Sequence, residues 1–567
     1  MLTGTERILF VRLKELSMIK FSSRILCVVA LLIPTFVFSS TISGVVRSSE
    51  GSVVSGALLT LVARDGLYSE TVYSDKHGRF AMVSTQHGVL TLRARKAYFA
   101  DSTLSVESEK QLTIILQKLS SESEISDQLS ASAHFTNIHF DDPQARKFFQ
   151  VDCISCHQLG NSFTRRPRST EYWQSIVRRM LGFWGVTDEK WIKQYASVLK
   201  AGFDGNPAVS RQQHNVDPLA QKARVQEWKL PDGLISHDVE FHEADGKFYT
   251  VDQNADRIYI TDPTLNTTET FNLPEMGLPQ GGKFFTVFGD ANPMGLSIRH
   301  GPHSLQEGPN GHFYTTNAIG GQIGEFDPAK KTYATFEVGG KAMYPHTLRF
   351  DGQGQIWFTI TMSNQLGRFN PNSGEMTLLD LPATSVRPEV PVFTPYGIDV
   401  SPVDGSIWYS RLHANKIGRV DAKTLEIQEF EPPLTGPRRL RFDAVGMLWI
   451  PAFGDGSIVR LNPTTMEYTT YALPTLADNE IEAPYAVAVH PETQEVWVTA
   501  NMSDRVFRFF PKEERFVSYP LPTRGTYMRD IIFLPDGRVC GASSPVPAVA
   551  VVEDGMQAII CIEPNDE

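Results

Sequence analysis

The sequence predicts a mainly β, multidomain protein with an N-terminal β-sandwich, a small α-helical domain and a C-terminal seven-bladed β-propeller. Three observations predict this organisation. Short β-rich runs separated by turn residues extend to about residue 118, apolar residues at helical spacing follow residue 135, and a unit of four short strands recurs roughly every 45 residues beyond residue 206. A chain of 567 residues is long enough for several domains with separate cores.

Residues 1–40 predict a secretory signal peptide. An almost unbroken apolar run at 25–38 follows Lys20 and Arg24 and is followed by two serines. The run is too short to span a bilayer comfortably, so no transmembrane segment is expected after cleavage. Met18 precedes the basic residues, which makes it an alternative to Met1 as the start. We therefore expect a periplasmic or secreted protein.

Residues 41–118 predict the β-sandwich. Their β-rich runs are 41–46, 57–62, 78–82, 90–94 and 112–116. The segments 42–46, 55–57 and 75–80 resemble the carboxypeptidase regulatory-like domain, which implies a transthyretin-like sandwich that serves as a spacer or contact module. Residues 119–134 are rich in Ser, Glu, Asp and Gln, which predicts a solvated linker.

The predicted domain at residues 135–205 contains Cys153, Cys156 and His157 in the pattern Cys-x-x-Cys-His. This is the attachment pattern of c-type haem, in which both thiols form thioethers with the porphyrin and the imidazole ligates iron. Structural zinc would need two further Cys or His ligands at matching spacing, and the next cysteine, Cys540, is distant in sequence. The motif therefore predicts covalent haem c.

Two helices are predicted after the motif, at 169–181 with Ser169 or Thr170 as N-cap and at 188–200. A helix, the motif and two more helices resemble a small class I cytochrome c, which implies electron transfer with a redox partner protein. Met180 is the only methionine between His157 and the propeller, so it is the candidate sixth iron ligand. The alternatives are His214, which would give a bis-histidine site, and an iron with an open position.

Residues 206–567 predict the seven-bladed propeller, with an insertion around 273–299. Each copy begins with a similar element, whose aligned polar residues are His237, His303, His346, Tyr396, Arg438, Tyr485 and Arg529. If they begin the innermost strands, these side chains converge at one mouth of the channel. They would then hold a polar or anionic small molecule or a metal that accepts imidazole, or they would only satisfy backbone groups.

Closure of the ring has two candidate strands, 226–231 and 557–562. Either would cover the edge of the last blade. If 557–562 is the outer strand, Cys540 and Cys561 lie on non-adjacent strands, so we expect free buried thiols.

The motifs Pro-His-x-Leu, Ile-Trp-Phe-Thr and Asn-Gln-Leu-Gly-Arg in residues 224–567 resemble the streptogramin lyase (virginiamycin B lyase-like) propellers. That family opens a cyclic depsipeptide by metal-assisted elimination with two histidines and two glutamates. His303 and His346 match the histidines and are the candidate catalytic residues. Tyr344 and Thr361 stand at the glutamate positions, and Asp252 is the nearest replacement carboxylate. A magnesium ion prefers hard oxygen ligands and elimination needs a base, so these departures argue against the lyase reaction.

The sequence therefore favours an exported c-type cytochrome with a propeller binding module, whose partners are a redox protein or a small molecule at the propeller mouth. One alternative is a metal-assisted C–O lyase, and another is a non-catalytic interaction protein of the cell envelope. A formal net charge of −11 without a basic run argues against nucleic acid as a partner.

Overall fold

The computed structural model describes residues 40–107, 110–288, 298–383, 386–387, 394–545 and 555–565. Residues 1–39 of the predicted signal peptide, with both candidate start methionines, lie outside the described residues. Within these ranges, none of the helices has the length and apolar character needed to cross a membrane.

The N-terminal part is a two-layer β structure. Strands β1 to β7 are Ser40–Ser48, Leu58–Val62, Tyr68–Tyr73, Arg79–Ser84, Leu90–Arg95, Ser102–Val106 and Lys110–Leu116. One sheet has the order β4-β1-β7, and β3-β2-β5-β6 forms the other layer. Strand β4 alternates exposed and buried residues, so its Phe80 and Met82 pack against Leu59 and Leu92 of the facing sheet. The predicted sandwich is confirmed, and β3 and β6 add to the predicted strands.

Five helices follow in the described residues. Helices α1 to α5 are Glu122–Gln128, Ala131–Phe135, Pro143–Cys153, Thr170–Gly182 and Glu189–Gly202. Residues 119–134 thus contain α1 and α2 instead of a solvated linker, and Ala131 and Ala133 are buried. The polar residues of this segment act as caps, since the Ser121 side chain accepts from the backbone N–H of Glu124. Ser169 caps α4 in the same way.

Seven four-stranded antiparallel units are present in the described part of the C-terminal region. A strand β8, Arg224–Lys229, precedes them. The first three units are β9 to β12 (Ser236–His242, Lys247–Asp252, Arg257–Asp262, Thr267–Asn272), β13 to β16 (Pro302–Glu307, Phe313–Asn317, Gln322–Asp327, Thr332–Glu337) and β17 to β20 (Pro345–Phe350, Ile356–Ile360, Gln365–Phe369, Met376–Asp380). A short helix, α6 (Gly282–Phe288), lies in the predicted insertion.

The remaining units complete a seven-bladed propeller. They are β21 to β24 (Pro395–Val400, Ile407–Arg411, Lys416–Val420, Ile427–Phe430), β25 to β28 (Arg441–Phe442, Leu448–Ala452, Ser457–Asn462, Glu467–Ala472), β29 to β32 (Pro484–Val489, Val496–Ala500, Arg505–Phe510, Arg515–Pro520) and β33 to β35 (Ile532–Phe533, Val539–Ser543, Ala558–Glu563) with β8 as fourth strand. First strands of neighbouring blades contact each other, as expected for strands nearest the axis.

Strand β8 closes the ring and also joins it to the sandwich. It pairs antiparallel with β35 on one side and with β3 on the other, which gives a continuous sheet of order β33-β34-β35-β8-β3-β2-β5-β6. Of the two strands considered for closure, 226–231 is therefore the outer strand of the last blade, and 557–562 is its third strand. The β3-β2-β5-β6 layer of the sandwich is therefore an extension of the last blade.

The expectation of free thiols at Cys540 and Cys561 is wrong, because these residues form a disulfide. Since β35 is the third strand and not the outer one, it lies directly beside β34. The two cysteines are opposite each other in this antiparallel pair, with Cα atoms 4.1 Å apart. Such bonds are typical of exported proteins.

The helical segment shares one apolar core with the propeller. Phe149 of α3 and Tyr195 of α5 belong to the same buried cluster as Phe453, Tyr485 and Tyr527 of the propeller. Because each buried aromatic side chain removes about 150–250 Å² of surface from water, these contacts bind the helices firmly to the propeller. The helices are consequently fixed over one mouth of the propeller.

Candidate functional site

The Cys-x-x-Cys-His motif begins at the last residue of α3 and continues into the following turns. Asp142 caps the helix by accepting from the backbone N–H of Gln144, and Pro143 occupies its first turn. Helix α3 ends at Cys153, so Cys156 and His157 project from non-helical backbone. Both cysteines are free thiols.

The His157 imidazole is arranged as a candidate metal ligand. Its Nδ1 lies 2.9 Å from the carbonyl oxygen of Gln158, to which it donates. This bond leaves a lone pair on Nε2, which has no hydrogen bond to another described residue. Desolvation lowers the pKa of His157, so the ring is neutral at pH 7. Metal-binding histidines commonly use one ring nitrogen for a carbonyl in this way.

The propeller holds the motif through its backbone. Three consecutive carbonyl oxygens, those of residues 154, 155 and 156, accept hydrogen bonds from Tyr527, Arg438 and Arg529 respectively. The Arg529 bond is 2.7 Å long and the Arg438 bond 3.2 Å. Because these carbonyls follow the last turn of α3, they would otherwise lack backbone donors. Two of the aligned polar residues thus support the motif directly.

A cavity of about 540 Å³ lies between the motif, α4 and the propeller mouth. Cys153, Cys156, His157 and Met180 all line it. The same helix adds Ile176, and its buried residues Trp173, Val177 and Leu181 also line the cavity. This volume is in the usual range of small-molecule and cofactor sites. The structure therefore brings the four predicted cofactor-binding residues to one chamber.

The alternative ligand His214 lies elsewhere. It borders a separate cavity of about 110 Å³ between the sandwich and the helices. Its backbone carbonyl accepts from Lys96 at 2.6 Å, and burial lowers the pKa of the His214 ring to about 3. His214 does not line the larger cavity. It therefore does not share a cavity with His157, as two histidine ligands of one iron would have to.

The propeller side of the large cavity carries a row of three imidazoles from the first three blades. The ring centroids of His237 and His303 are 3.6 Å apart, and those of His303 and His346 are 4.1 Å apart. Tyr396 of the fourth blade continues the row, 4.1 Å from His346. All four residues line the cavity and are buried from bulk solvent. The candidate catalytic residues His303 and His346 are therefore central members of this row.

The other side of the mouth holds tyrosines and arginines. The hydroxyl oxygens of Tyr396 and Tyr485 are 2.5 Å apart, so one donates to the other. The Arg438 guanidinium lies over both rings, 4.8 and 4.0 Å from their centroids. All seven aligned positions thus meet at the same mouth, with Arg529 beside Cys156.

The residues at the positions of the lyase glutamates have structural partners. The Tyr344 hydroxyl accepts from the Gln253 side chain at 2.8 Å, and Thr361 donates to the Pro395 carbonyl at 3.0 Å. Asp252 accepts from the backbone N–H groups of Leu234 and Ile235. Asp252 is therefore occupied as an acceptor within its own blade and does not replace a missing glutamate.

A divalent metal at the mouth gains no support from the geometry. Within the described ranges, no group of three or more His, Cys, Asp or Glu side chains is placed to hold a metal ion. The imidazole planes of His237 and His303 are tilted by 38° to each other, and those of His303 and His346 by 45°.

Two charged networks next to the site were not predicted. The buried Asp152, which precedes Cys153, forms a bidentate pair with Arg387 at 2.9 and 3.0 Å and accepts from the Tyr195 hydroxyl. On the propeller axis, Asp238 accepts from His237 Nδ1 at 2.8 Å, and Arg439 bridges Asp238 to Asp530, also at 2.8 Å. The repeat offered a signal for the second network, since Asp238, Arg439 and Asp530 all follow an aligned mouth residue.

Family profiles match two parts of the chain. The virginiamycin B lyase family matches residues 290–475 and 389–555, and the carboxypeptidase regulatory-like domain matches residues 41–117. Both matches agree with the resemblances of the sequence motifs. A comparison with curated protein sequences found no match.

Among solved structures, a streptogramin B lyase has 20% sequence identity and a TM-score of 0.49, covering 62% of this chain and 100% of the lyase. A virginiamycin B lyase from Staphylococcus aureus has 18% identity and a TM-score of 0.48, covering 60% and 99% respectively. An extracellular domain from B. thetaiotaomicron has 14% identity and a TM-score of 0.42, covering 59% and 41%.

Proposed function

We propose that this protein is an exported c-type cytochrome whose haem occupies the 540 Å³ cavity between α4 and the propeller mouth. One observation carries the proposal. The cavity is lined by two free thiols in Cys-x-x-Cys spacing, by the adjacent His157 and by Met180. This is the residue set that c-type haem attachment and axial ligation use.

The donor chemistry of the cavity fits the group. Cys153 and Cys156 would provide the thioether sulfurs, and His157 would ligate iron through Nε2 because its Nδ1 is bonded to the Gln158 carbonyl. Met180 on α4 would be the second protein ligand of the iron. When bound, haem supplies a one-electron redox centre, and a thioether ligand raises its potential. The apolar side chains of α4 exclude water from it.

The propeller would serve as the binding module of this cytochrome. Its mouth forms one wall of the same cavity, so a small redox substrate at His303 or His346 would lie beside the cofactor. The predicted signal peptide and the Cys540–Cys561 disulfide both favour an oxidising compartment outside the cytoplasm.

The test is covalent attachment in a host with cytochrome c maturation. The full chain should keep its Soret absorbance after acid-acetone extraction and give a pyridine haemochrome spectrum. Replacing Cys153 and Cys156 with serine should abolish both signals. The Cys540→Ser, Cys561→Ser double variant is the matched control and should retain haem. Complete extraction of haem from the unaltered protein would show that the proposal is wrong.

A further inference from the structure

One imidazole of the mouth is oriented by a carboxylate. His237 Nδ1 lies 2.8 Å from Asp238 Oδ1, and the other oxygen of Asp238 accepts from the Ser304 hydroxyl at 3.0 Å. Arg439 donates to the same Oδ1 of Asp238 at 2.8 Å, so this oxygen acts as an acceptor. The proton of the ring is therefore on Nδ1, so Nε2 keeps a lone pair. A base held by a carboxylate in this way has a fixed tautomer and orientation.

The Nε2 atom of His237 is available to a ligand. His237 lines the 540 Å³ cavity that also holds Cys156 and His157. No described residue forms a hydrogen bond with Nε2. Next to it in the row, the buried Nδ1 of His303 also has no hydrogen-bond partner in the described part of the chain. A site with unpartnered ring nitrogens favours a ligand that carries O–H groups, which can both donate and accept, since a buried polar atom without a partner costs free energy.

The row is neutral at pH 7. Desolvation lowers the pKa of His237, His303 and His346 well below the usual value, and the positive charges of nearby arginines add to this effect. The charged and titratable groups that face His237 come from five blades and are Asp238, His303, His346, Arg438, Arg439 and Arg529. A neutral imidazole can accept a proton, whereas an imidazolium cannot.

We propose that the mouth binds a small phenol or hydroquinone, and that His237 accepts its hydroxyl proton as the molecule is oxidised. This inference rests on the proposed haem in the same cavity. In the step, the O–H bond of the bound molecule breaks. The proton would go to His237 Nε2, the haem held by Cys153, Cys156, His157 and Met180 would supply the one-electron acceptor, and a phenoxyl or semiquinone radical would remain. Asp238 is the positioning residue that holds the accepting tautomer.

The aromatic surroundings suit such a ligand. The imidazole rings are tilted by 38° and 45° to one another, with centroids 3.6 and 4.1 Å apart, and the Tyr344 ring lies edge-on, 5.8 Å from His303. A site lined by aromatic side chains can pack favourably with an aromatic ligand. In the Tyr396–Tyr485 pair only one hydroxyl proton is used between the two oxygens, so the second can donate to a ligand oxygen.

The experiment compares two reductants of the haem-loaded full chain under anaerobic stopped flow. Hydroquinone releases a proton with its electron, and hexaammineruthenium(II) does not. His237→Phe keeps an aromatic ring in the row but removes the acceptor, and should slow reduction by hydroquinone by roughly 100-fold. Reduction by the ruthenium complex should not change. His87→Phe, in an exposed loop of the sandwich, is the matched control and should affect neither rate.

Binding gives an independent measurement. Calorimetric titration with phenol, which these conditions do not oxidise, should show affinity for the unaltered protein and about tenfold weaker affinity for His237→Phe. His237→Gln replaces it if the phenylalanine variant does not fold. Equal phenol affinity in both proteins, or equal slowing with both reductants, would overturn the inference. Absence of haem from the unaltered protein would instead contradict the proposed function.

Discussion

Asp152 offers the sharpest test of how the haem motif is held, because it precedes Cys153 and is almost fully buried. Its carboxylate receives two hydrogen bonds from Arg387, at 2.9 and 3.0 Å, and one from Tyr195 at 2.8 Å. His413 Nε2 lies 3.3 Å away. These contacts join α3, α5 and two propeller loops. We expect Asp152→Asn to destabilise the docking of the helices on the propeller.

The magnitude follows from burial of both partners. The Asp152 and Arg387 side chains are 1% and 4% exposed. Removing one charge of a buried pair leaves the other charge in a low-dielectric environment and costs about 3–5 kcal/mol. An exposed pair is the matched control. Lys147 of α3 binds Asp455 at 2.6 Å but is 42% exposed, so Lys147→Ala should cost no more than about 1 kcal/mol.

Urea unfolding followed by tryptophan fluorescence measures this difference, and pH adds a second readout. Although burial favours the neutral acid, Arg387 and His413 lower the pKa of Asp152 well below its usual range. Its stabilising effect is therefore fully present above about pH 4, the ordinary pKa of an unfolded aspartate, and is lost as the pH falls towards the folded value. The gap between wild type and Asp152→Asn should accordingly shrink only in acid.

Two results would refute this reasoning. Equal urea midpoints for Asp152→Asn and Lys147→Ala would show that the buried pair contributes no more than an exposed one. A stability gap that grows as the pH falls from 5 to 3 would mean that the folded pKa is raised instead of lowered.

The remaining predictions concern the iron ligand, the disulfide and the lyase reaction. Met180→Ala should remove the long-wavelength sulfur-to-iron charge-transfer band of the oxidised protein, and its persistence would exclude Met180 as ligand. Replacing Cys540 and Cys561 with serine should cost about 3 kcal/mol in urea unfolding, because the bond closes a short loop; an unchanged midpoint would contradict this. With magnesium present, chromatography should detect no opening of a streptogramin, because Tyr344 and Thr361 are not carboxylates; enzymatic turnover would favour the lyase hypothesis.

The repeated part of the fold was readable from the sequence because each blade repeats its own local signals. The aligned positions from His237 to Arg529 recur at similar intervals; five of them lie at the start of an inner strand, and Arg438 and Arg529 precede β25 and β33 by three residues. Closure of the ring was ambiguous, since 226–231 and 557–562 have similar β-rich patterns. The error at Cys540 and Cys561 followed directly, because only strand order decides whether two cysteines are neighbours.

The site was only partly predictable. Cys153, Cys156 and His157 form a local motif. The blade repeat places His303 and His346 at equivalent positions of neighbouring blades. By contrast, Asp152 meets Arg387 across 235 positions of sequence, and no local pattern indicates that pairing. The carboxylate beside His237 was visible in the sequence as Asp238. Its hydrogen bond to the ring could not be foreseen, because adjacent residues of a regular strand point to opposite faces.

Strand β8 also determines where the chain can be divided. A fragment beginning at Arg224 would retain every propeller strand, yet the edge of β8 that pairs with β3 would be bare and ready to recruit another strand. A fragment beginning after Lys229 would lack β8, the strand that closes the ring. Because the partner of that edge lies in the sandwich, expression of the propeller alone should favour self-association. By covering this edge, the N-terminal sandwich protects the propeller from aggregation.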